Sequence, residues 1–526
     1  MTADENSESR ASQEEATRAF ERITGISAVP AEQALVGNQT FLNFVVGRTA
    51  PLYEYALRET QKELSPTNCF RGALTVKAKP PKNFPSSLES RALLTLLTRS
   101  TKEVVEGTAS TVYRVPYVPF QGREDHQLAQ PANHIVRGRR GVGKSTLIRR
   151  AQELLRNTGA LVAVIDMQAY ASLTGDTLIS EIFRDVSAAL GEAANDVSGQ
   201  ATGDGLIRLG DQIGENRFSI SQLPVNLKRE LAKVTKQRQA FVFLDDFHLL
   251  DRANQPAVLE MLTGALKGAN GWLKVAGLTS RLNPYDPKSK RGLQVPGDAQ
   301  YIQLDLTLTD PESTELHLKQ ILEKFLIAVG YSLGKTVIPE KALRRLAWAN
   351  AGVPRDFLQM FARSLEHAQR NRRAAVTLSD VNVAIGESGQ QKMDELEKDA
   401  RNDAGSLRKA LESVQEFCLG DKQVNAFLVR SEESRERTVV RDLADLRMVH
   451  LIHQSITPSR SGERYEAYIL DYSIFTGFRR RKGIKEMLPD ESQFKASELR
   501  ALPKVNPGFL DSAAANKPLQ QSGPPQ

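Results

Sequence analysis

At 526 residues the chain exceeds what one hydrophobic core organises, and at about 150 residues per domain it is expected to hold three or four units. Its 40% apolar and 25% charged residues are ordinary for a soluble globular protein, and a net charge of +7 permits an anionic partner such as nucleic acid without demanding one. Cys69 and Cys418 lie far apart and form no C-x-x-C pair, which argues against a disulfide framework or zinc site; no run of 18 apolar residues occurs and the N-terminus is polar and acidic, so secretion and membrane spanning are disfavoured and a reducing cytoplasm is expected.

Residues 1–40 read as a largely disordered lead-in, rich in Ser, Glu and Ala, with helix setting in near Arg18. Residues 41–119 read as an N-terminal helical preface: 41–57 is apolar-spaced up to Pro51, 87–105 repeats the character, and a proline-rich loop lies between. The preface either packs against the core that follows or binds a partner.

Residues 120–310 read as an α/β core. Within NHIVRGRRGVGKSTLIRR, the residues Gly138, Gly143, Lys144 and Ser145 make the phosphate-binding pattern G-x-x-x-x-G-K-[ST] between a short apolar run and a helix-forming one. A loop in that place aims backbone N–H groups at a polyphosphate. Gly138, Gly141, Val142 and Gly143 would cradle it, Lys144 would reach the β- and γ-phosphates, Ser145 would ligate Mg²⁺, and Thr146 would begin the helix whose positive end faces the anion. The chain is therefore expected to bind ATP.

A helix over 145–157, a buried strand over 161–165 and an amphipathic helix over 177–190 follow, implying a parallel sheet with ligands at its carboxyl ends. Residues 191–219 read as a polar surface insertion and 223–236 as a helix. In RQAFVFLDDFHLLD a buried strand delivers Asp245 and Asp246, 101 positions after Lys144. Strand alternation gives the two carboxylates different jobs: Asp245 to hold Mg²⁺ beside the phosphates, Asp246 to orient or deprotonate the attacking water. A strand over 272–278 ends in Thr279, Ser280 and Arg281, and Arg281 either faces a phosphate or pairs with a surface carboxylate. Arg291 lies in the loop beyond, and 301–308 closes the sheet.

Residues 311–389 read as four helices, the third opening with Gly352, Pro354 and Arg355. Residues 390–478 begin with a long charged helix broken near Gly405, then show helices over 423–430 and 435–447 and a hairpin around a Pro-Ser-Arg-Ser-Gly turn, the order of a winged helix. In such a fold Arg435, Arg437 and Arg441 would enter the major groove and Arg460 would lie in the wing. Residues 404–485 hold 15 Lys or Arg against 11 Asp or Glu, with Arg479, Arg480, Arg481 and Lys482 clustered. Residues 479–526 read as a basic, then Pro/Gln-rich tail.

The box Phe120, Gln121, Gly122, Arg123, Glu124, Asp125 ahead of the loop, the loop itself, the Asp245–Asp246 pair and Gly-x-Pro-Arg together resemble the AAA+ P-loop ATPases of the origin-recognition and cell-division-control initiator type. Thr279, Ser280 and Arg281 look more like the related STAND signalling ATPases. The resemblance implies a P-loop AAA+ parallel-sheet core with helical lid and C-terminal winged-helix domain. It also implies that the box contacts adenine, that Ser280 and Arg281 sense the γ-phosphate from the sheet and that Arg355 does so from the lid. An Asp at 246, where this family usually has Glu, suits a slow switch. The resemblance further suggests a homo-oligomer or partner protein, with Arg291 a candidate finger toward a neighbour, and a role on DNA in bacterial plasmid maintenance or anti-phage defence. The rival is a STAND-like scaffold with structural ATP and a protein-binding winged helix. A small-molecule kinase is disfavoured because no acceptor pocket is evident in the lid.

Overall fold

The computed structural model describes residues 3–102, 113–199, 201–304, 306–400, 404–432, 434–458, 462–475, 483–487, 494–506 and 508–509. It divides into two compact units, one of residues 119–305 with 433–447, the other of residues 1–118, 306–432 and 448–526.

The first unit is built on five parallel strands in the order Gln300–Gln303, His134–Arg137, Gly271–Gly277, Ala240–Asp245 and Leu161–Asp166. The middle strands are apolar on both faces, as a helix-covered parallel sheet requires, and their side chains join one core with the helices Gly175–Ser198, Leu223–Val234 and Gln255–Leu266. The phosphate loop and Asp245 thus lie on strands separated by Gly271–Gly277. With neighbours about 4.8 Å apart, the two strand axes stand roughly 10 Å from each other.

Residues 191–219 are not a surface insertion. The helix continues to Ser198 and a second helix, Asp204–Gly214, packs against it. The glycines that suggested a loop are there for contact: a Cβ on Gly203 would lie 1.9 Å from the Gly191 carbonyl oxygen, and one on Gly210 would lie 3.0 Å from that of Arg184. The closing strand is shorter than the alternation of 301–308 suggests and leans on the loop. Leu304 N–H donates to Arg137 O at 2.9 Å, and a Cβ on Gly138 would come within 2.7 Å of Leu304 O.

In the second unit the expected disordered lead-in and helical preface need correcting. Ala3–Thr24 is a helix, and Ala31–Val36 pairs antiparallel with Gln39–Val46 across a Gly37–Asn38 turn. Gly-Asn between two apolar runs is a hairpin signal, and the apolar spacing of 41–57 belongs to a strand, with helix starting only at Pro51–Glu63. Leu74–Ala78 adds a parallel third strand. The preface packs on the lid helices of its own unit. Leu88–Lys102 lies against Pro311–Ala328 and Pro354–Arg370, Gln369 Nε2 donates to Ser90 Oγ at 3.0 Å, and the Phe84 and Tyr331 rings meet at 4.7 Å.

The four lid helices are present: Pro311–Ala328, Glu340–Ala349, Pro354–Arg370 and Leu378–Ala400, the last running on into the charged segment before a further helix, Ala404–Gln415. The expected helix over 423–430 is instead the strand Ala426–Arg430. Its residues are buried on both faces and so show no alternation. It pairs with Tyr465–Leu470, which pairs in turn with Val449–Ile456, giving a three-stranded antiparallel sheet. Part of the expected tail is also ordered: Leu428 N–H donates to Pro503 O, and Val505 N–H donates back to Leu428 O. The sheet shares one apolar core with Leu308, Trp348 and Ala351 of the lid. The helix between the strands, Arg435–Asp445, belongs to the P-loop unit. Arg460 and the cluster Arg479, Arg480, Arg481 and Lys482 lie outside the described residues.

Lid and antiparallel sheet are also joined by buried charges. Lys392 Nζ lies 2.6 Å from Asp471 Oδ2 and 3.1 Å from Asp356 Oδ2, and His450 Nε2 lies 2.7 Å from the same Asp471 oxygen. Burial alone would raise the Asp471 carboxyl. The Lys392 charge and the His450 hydrogen bond outweigh it and hold the group below the usual carboxylate range. A depressed carboxylate contributes stability that is complete above its ordinary pKa of about 4 and fades as pH falls below it. Lys392→Met, which strands two buried carboxylates, is expected to cost about 3–5 kcal/mol at pH 7 in urea unfolding, and to cost less at pH 3.

Candidate functional site

The phosphate loop takes its shape from two left-handed glycines. Gly141 has φ of 78° and Gly143 has φ of 102°, values that a residue with a Cβ rarely adopts. Gly143 precedes the helix Lys144–Arg156, whose 13 residues bury Leu147, Ile148, Ala151 and Leu155 against the sheet side and point the free N–H groups of its first turn back at the loop. Lys144 is buried and its Nζ donates to Gly138 O and Arg139 O, each at 3.0 Å, so the ammonium is held within the loop. Val142 is buried beneath the loop, whereas Thr146 is exposed in the first turn.

Ser145 and Asp245 come together: the serine hydroxyl stands near enough to favour the ionised carboxylate although their strands are not neighbours. Burial and the adjacent Asp246 charge raise Asp245 to about 6, against smaller opposing effects from Ser145, the Asp246 N–H and Lys144. Two carboxylates crowded at a strand end beside a hydroxyl are a donor set that a divalent cation relieves. Mg²⁺ fits these residues, with phosphate oxygens completing its shell. Among the described residues no group of three or more His, Cys, Asp or Glu could hold a metal by itself.

Asp246 does not continue the strand, so the alternation argument fails for it. The strand ends at Asp245, and Asp246 takes a left-handed conformation (φ 51°, ψ 34°) that opens the turn Phe247–Leu249. Its carboxylate is half-exposed, with Oδ1 3.8 Å from His248 Nδ1. The turn, rather than the pleat, separates the two acids.

Between the loop and Asp245 ends the strand Gly271–Gly277, followed by Thr279, Ser280 and Arg281 in a turn closed by Arg281 N–H donating to Leu278 O. The buried hydroxyls of Thr279 and Ser280 have no hydrogen-bond partner. Two residues that hold this turn were not singled out from the sequence. Gln255, fully buried, donates to Leu250 O and Arg281 O and accepts from Asn283 N–H, tying the turn after Asp246 to the turn after Ser280. Its only signal is a glutamine ahead of Pro256 at the start of an apolar helix. Asp445 is the other: Oδ2 accepts from Ser280 N–H at 2.6 Å, and its carbonyl accepts from Arg140 N–H at 3.3 Å. Nothing in the sequence links the end of that distant helix to the loop.

Phe120 is buried beside the loop, its ring 3.9 Å from where a Gly143 Cβ would stand. Arg123, left-handed at φ 54°, starts the short helix Glu124–Leu128, whose buried Asp125 lies 3.6 Å from Arg123 Nε and 3.9 Å from Arg150 Nε on the loop helix. Arg291 pairs with Glu260 at 2.7 Å, the ordinary surface arrangement. Arg355 stands in the first turn of Pro354–Arg370 in the other unit. There Gly352 has φ of 84°, and a Cβ on it would meet Leu306 O at 2.2 Å, so that bend admits only glycine.

The sequence profile of the AAA ATPase domain family matches residues 123–270, spanning the loop, Asp245 and Asp246. This stretch resembles an AAA ATPase domain. Among solved structures, the chain is similar to Drosophila ORC bound to DNA (14% identity, 79% of this chain and 95% of that one, TM-score 0.38). It is similar also to the Aeropyrum pernix ORC1 protein in complex with DNA (18%, 68% and 91%, 0.37) and to Cdc6p from Pyrobaculum aerophilum (15%, 67% and 91%, 0.34). No curated protein matches the sequence significantly. No helix among the described residues is long and apolar enough to cross a membrane.

The following outcomes are expected of the P-loop unit. With Asp245 titrating near 6, Mg²⁺-dependent ATP binding weakens about tenfold from pH 7 to pH 5 in titration calorimetry, and Asp246→Asn moves that decline to lower pH by removing the neighbouring charge. Because the raised pKa also means that ionising Asp245 disfavours the fold, Asp245→Asn stabilises the protein at pH 7 in thermal melts without Mg²⁺. Gln255→Ala costs about 1–3 kcal/mol of stability and lowers the rate of phosphate release more than ATP affinity.

Proposed function

We propose that the protein is an ATP-hydrolysing AAA+ switch that acts on DNA or a DNA-processing partner. The observation that carries the reading is the Ser145–Asp245 contact across an intervening strand, with Lys144 held in the same loop. Ser145 and Asp245 would hold Mg²⁺ against the β- and γ-phosphates, and Lys144 and the loop amides, from Gly141 to Thr146, would carry the remaining charge. Asp246 would take a proton from water as its oxygen bonds to the γ-phosphorus and the bond to the ADP oxygen breaks, giving ADP and phosphate. Ser280 and Arg281 would stabilise the charge spreading over the γ-phosphoryl oxygens, and Arg355 would report it to the lid. An oligomer could add an arginine in trans, worth about 10³- to 10⁵-fold in rate.

The DNA side rests on the winged-helix order and on Arg435 and Arg441, both exposed on the helix between its strands. Plasmid maintenance or anti-phage defence is the setting in which such a switch would serve. The half-exposed, short-chained Asp246 favours a second reading, a STAND-like scaffold that keeps its ATP and docks a protein.

Phosphate release and fluorescence anisotropy separate these. Lys144→Ala is expected to abolish nucleotide binding, and Asp246→Asn to keep binding while stopping turnover; persistent turnover in the latter removes Asp246 from the mechanism. Binding to arbitrary duplex DNA should fall steeply with salt, and Arg435→Ala and Arg441→Ala should each make the log–log slope shallower by about 1, as expected when one phosphate-neutralising arginine is removed. Absence of binding at low salt would favour the scaffold.

A further inference from the structure

The helix Arg435–Asp445 begins with Ser434 accepting from Arg437 N–H, carries its arginines along its length, and ends on a buried carboxylate. That last residue touches the P-loop unit, to which the helix belongs, at two places. Its side chain accepts from the backbone of Ser280, at the end of the strand between the phosphate loop and Asp245, and its carbonyl accepts from the backbone of Arg140, within the loop itself. A helix C-terminus already carries the negative end of the backbone dipole, and Asp445 adds a buried carboxylate to it. Both amides lie in the segments assigned above to a triphosphate, so a second, larger anion is to be accommodated beside the first at low dielectric.

We propose that Asp445 is a latch that sets ATP binding against docking of the arginine-bearing helix: the docked carboxylate weakens the hold on the triphosphate, and the triphosphate loosens the helix. The proposal rests on the nucleotide reading of the site. Linkage makes the two effects equal: the factor by which docking weakens ATP is the factor by which ATP shifts the helix toward release. The arginines of a DNA-reading helix would then be delivered by ATP rather than by DNA.

The test uses the full chain, Mg²⁺ and a non-hydrolysable ATP analogue, with hydrogen exchange reporting the helix and titration calorimetry reporting affinity. In the unmodified protein the analogue should speed exchange of the helix amides about tenfold, within the usual range of allosteric couplings. Asp445→Ala, lacking the acceptor, should exchange fast with or without analogue and bind it about tenfold more tightly. Asp445→Asn keeps the shape and an acceptor but not the charge; it should bind the analogue more tightly while the helix no longer responds, which keeps the test alive if the alanine variant folds poorly. Unchanged helix exchange with the analogue bound, or an Asp445→Asn affinity equal to or weaker than that of the unmodified protein, overturns the latch alone. Failure of the unmodified chain to bind the analogue overturns the nucleotide reading and the latch with it.

Discussion

A hydroxyl on one strand–helix junction reaches a carboxylate two strands away, and the P-loop unit is arranged around keeping that distance closed. Ser145 and Asp245 are brought together by a sheet whose middle strands are buried on both faces, so neither strand can slide or rotate without exposing apolar surface. The strand between them is not a spacer. It ends at Gly277, and the turn beyond it buries the hydroxyls of Thr279 and Ser280. Gln255 then bolts the turns after Asp246 and after Ser280 to one another.

What was legible in the sequence is what strict local chemistry demands. The glycines and lysine of the loop, the apolar run into Asp245 and the proline-led helix at Pro354 each have few alternatives, and each stands where the pattern puts it. What was not legible depends on contacts made far along the chain. Gly191, Gly203 and Gly210 look like loop residues because nothing local says that two helices meet there. Ala426–Arg430 looks helical because a strand buried on both faces has no period to read. Gln39–Val46 was readable from the Gly37–Asn38 turn but was masked by apolar spacing that also fits a helix. At the site, Asp246 departs from its expected geometry because one residue of left-handed turn overrides the strand's alternation, and Asp445 could not be foreseen because its role exists only in three dimensions.

Charged residues in apolar surroundings are a common lure in such a reading, and here they serve the fold. Lys274 lies within a buried strand, yet its Nζ serves the carbonyls of Gln130 and Ala132 and the ring nitrogen of His134. Lys392, between Asp356 and Asp471, joins the helix that begins beside Arg355 to the three-stranded antiparallel sheet. That joint, with the shared core of Leu308, Trp348 and Ala351, ties helices and sheet together within one unit, whereas the helix between the strands belongs to the other.

Gly138 ties the loop to the edge of the sheet. The motif counts it as a phosphate residue, yet its φ is ordinary and the reason for its missing side chain is the Leu304 carbonyl 2.7 Å from where a Cβ would sit. The loop's first glycine thus answers to the outermost strand, and its later positions answer to the nucleotide. The loop and the margin of the sheet are thus coupled through backbone atoms alone, so a drift of one is felt by the other with no side chain to carry it.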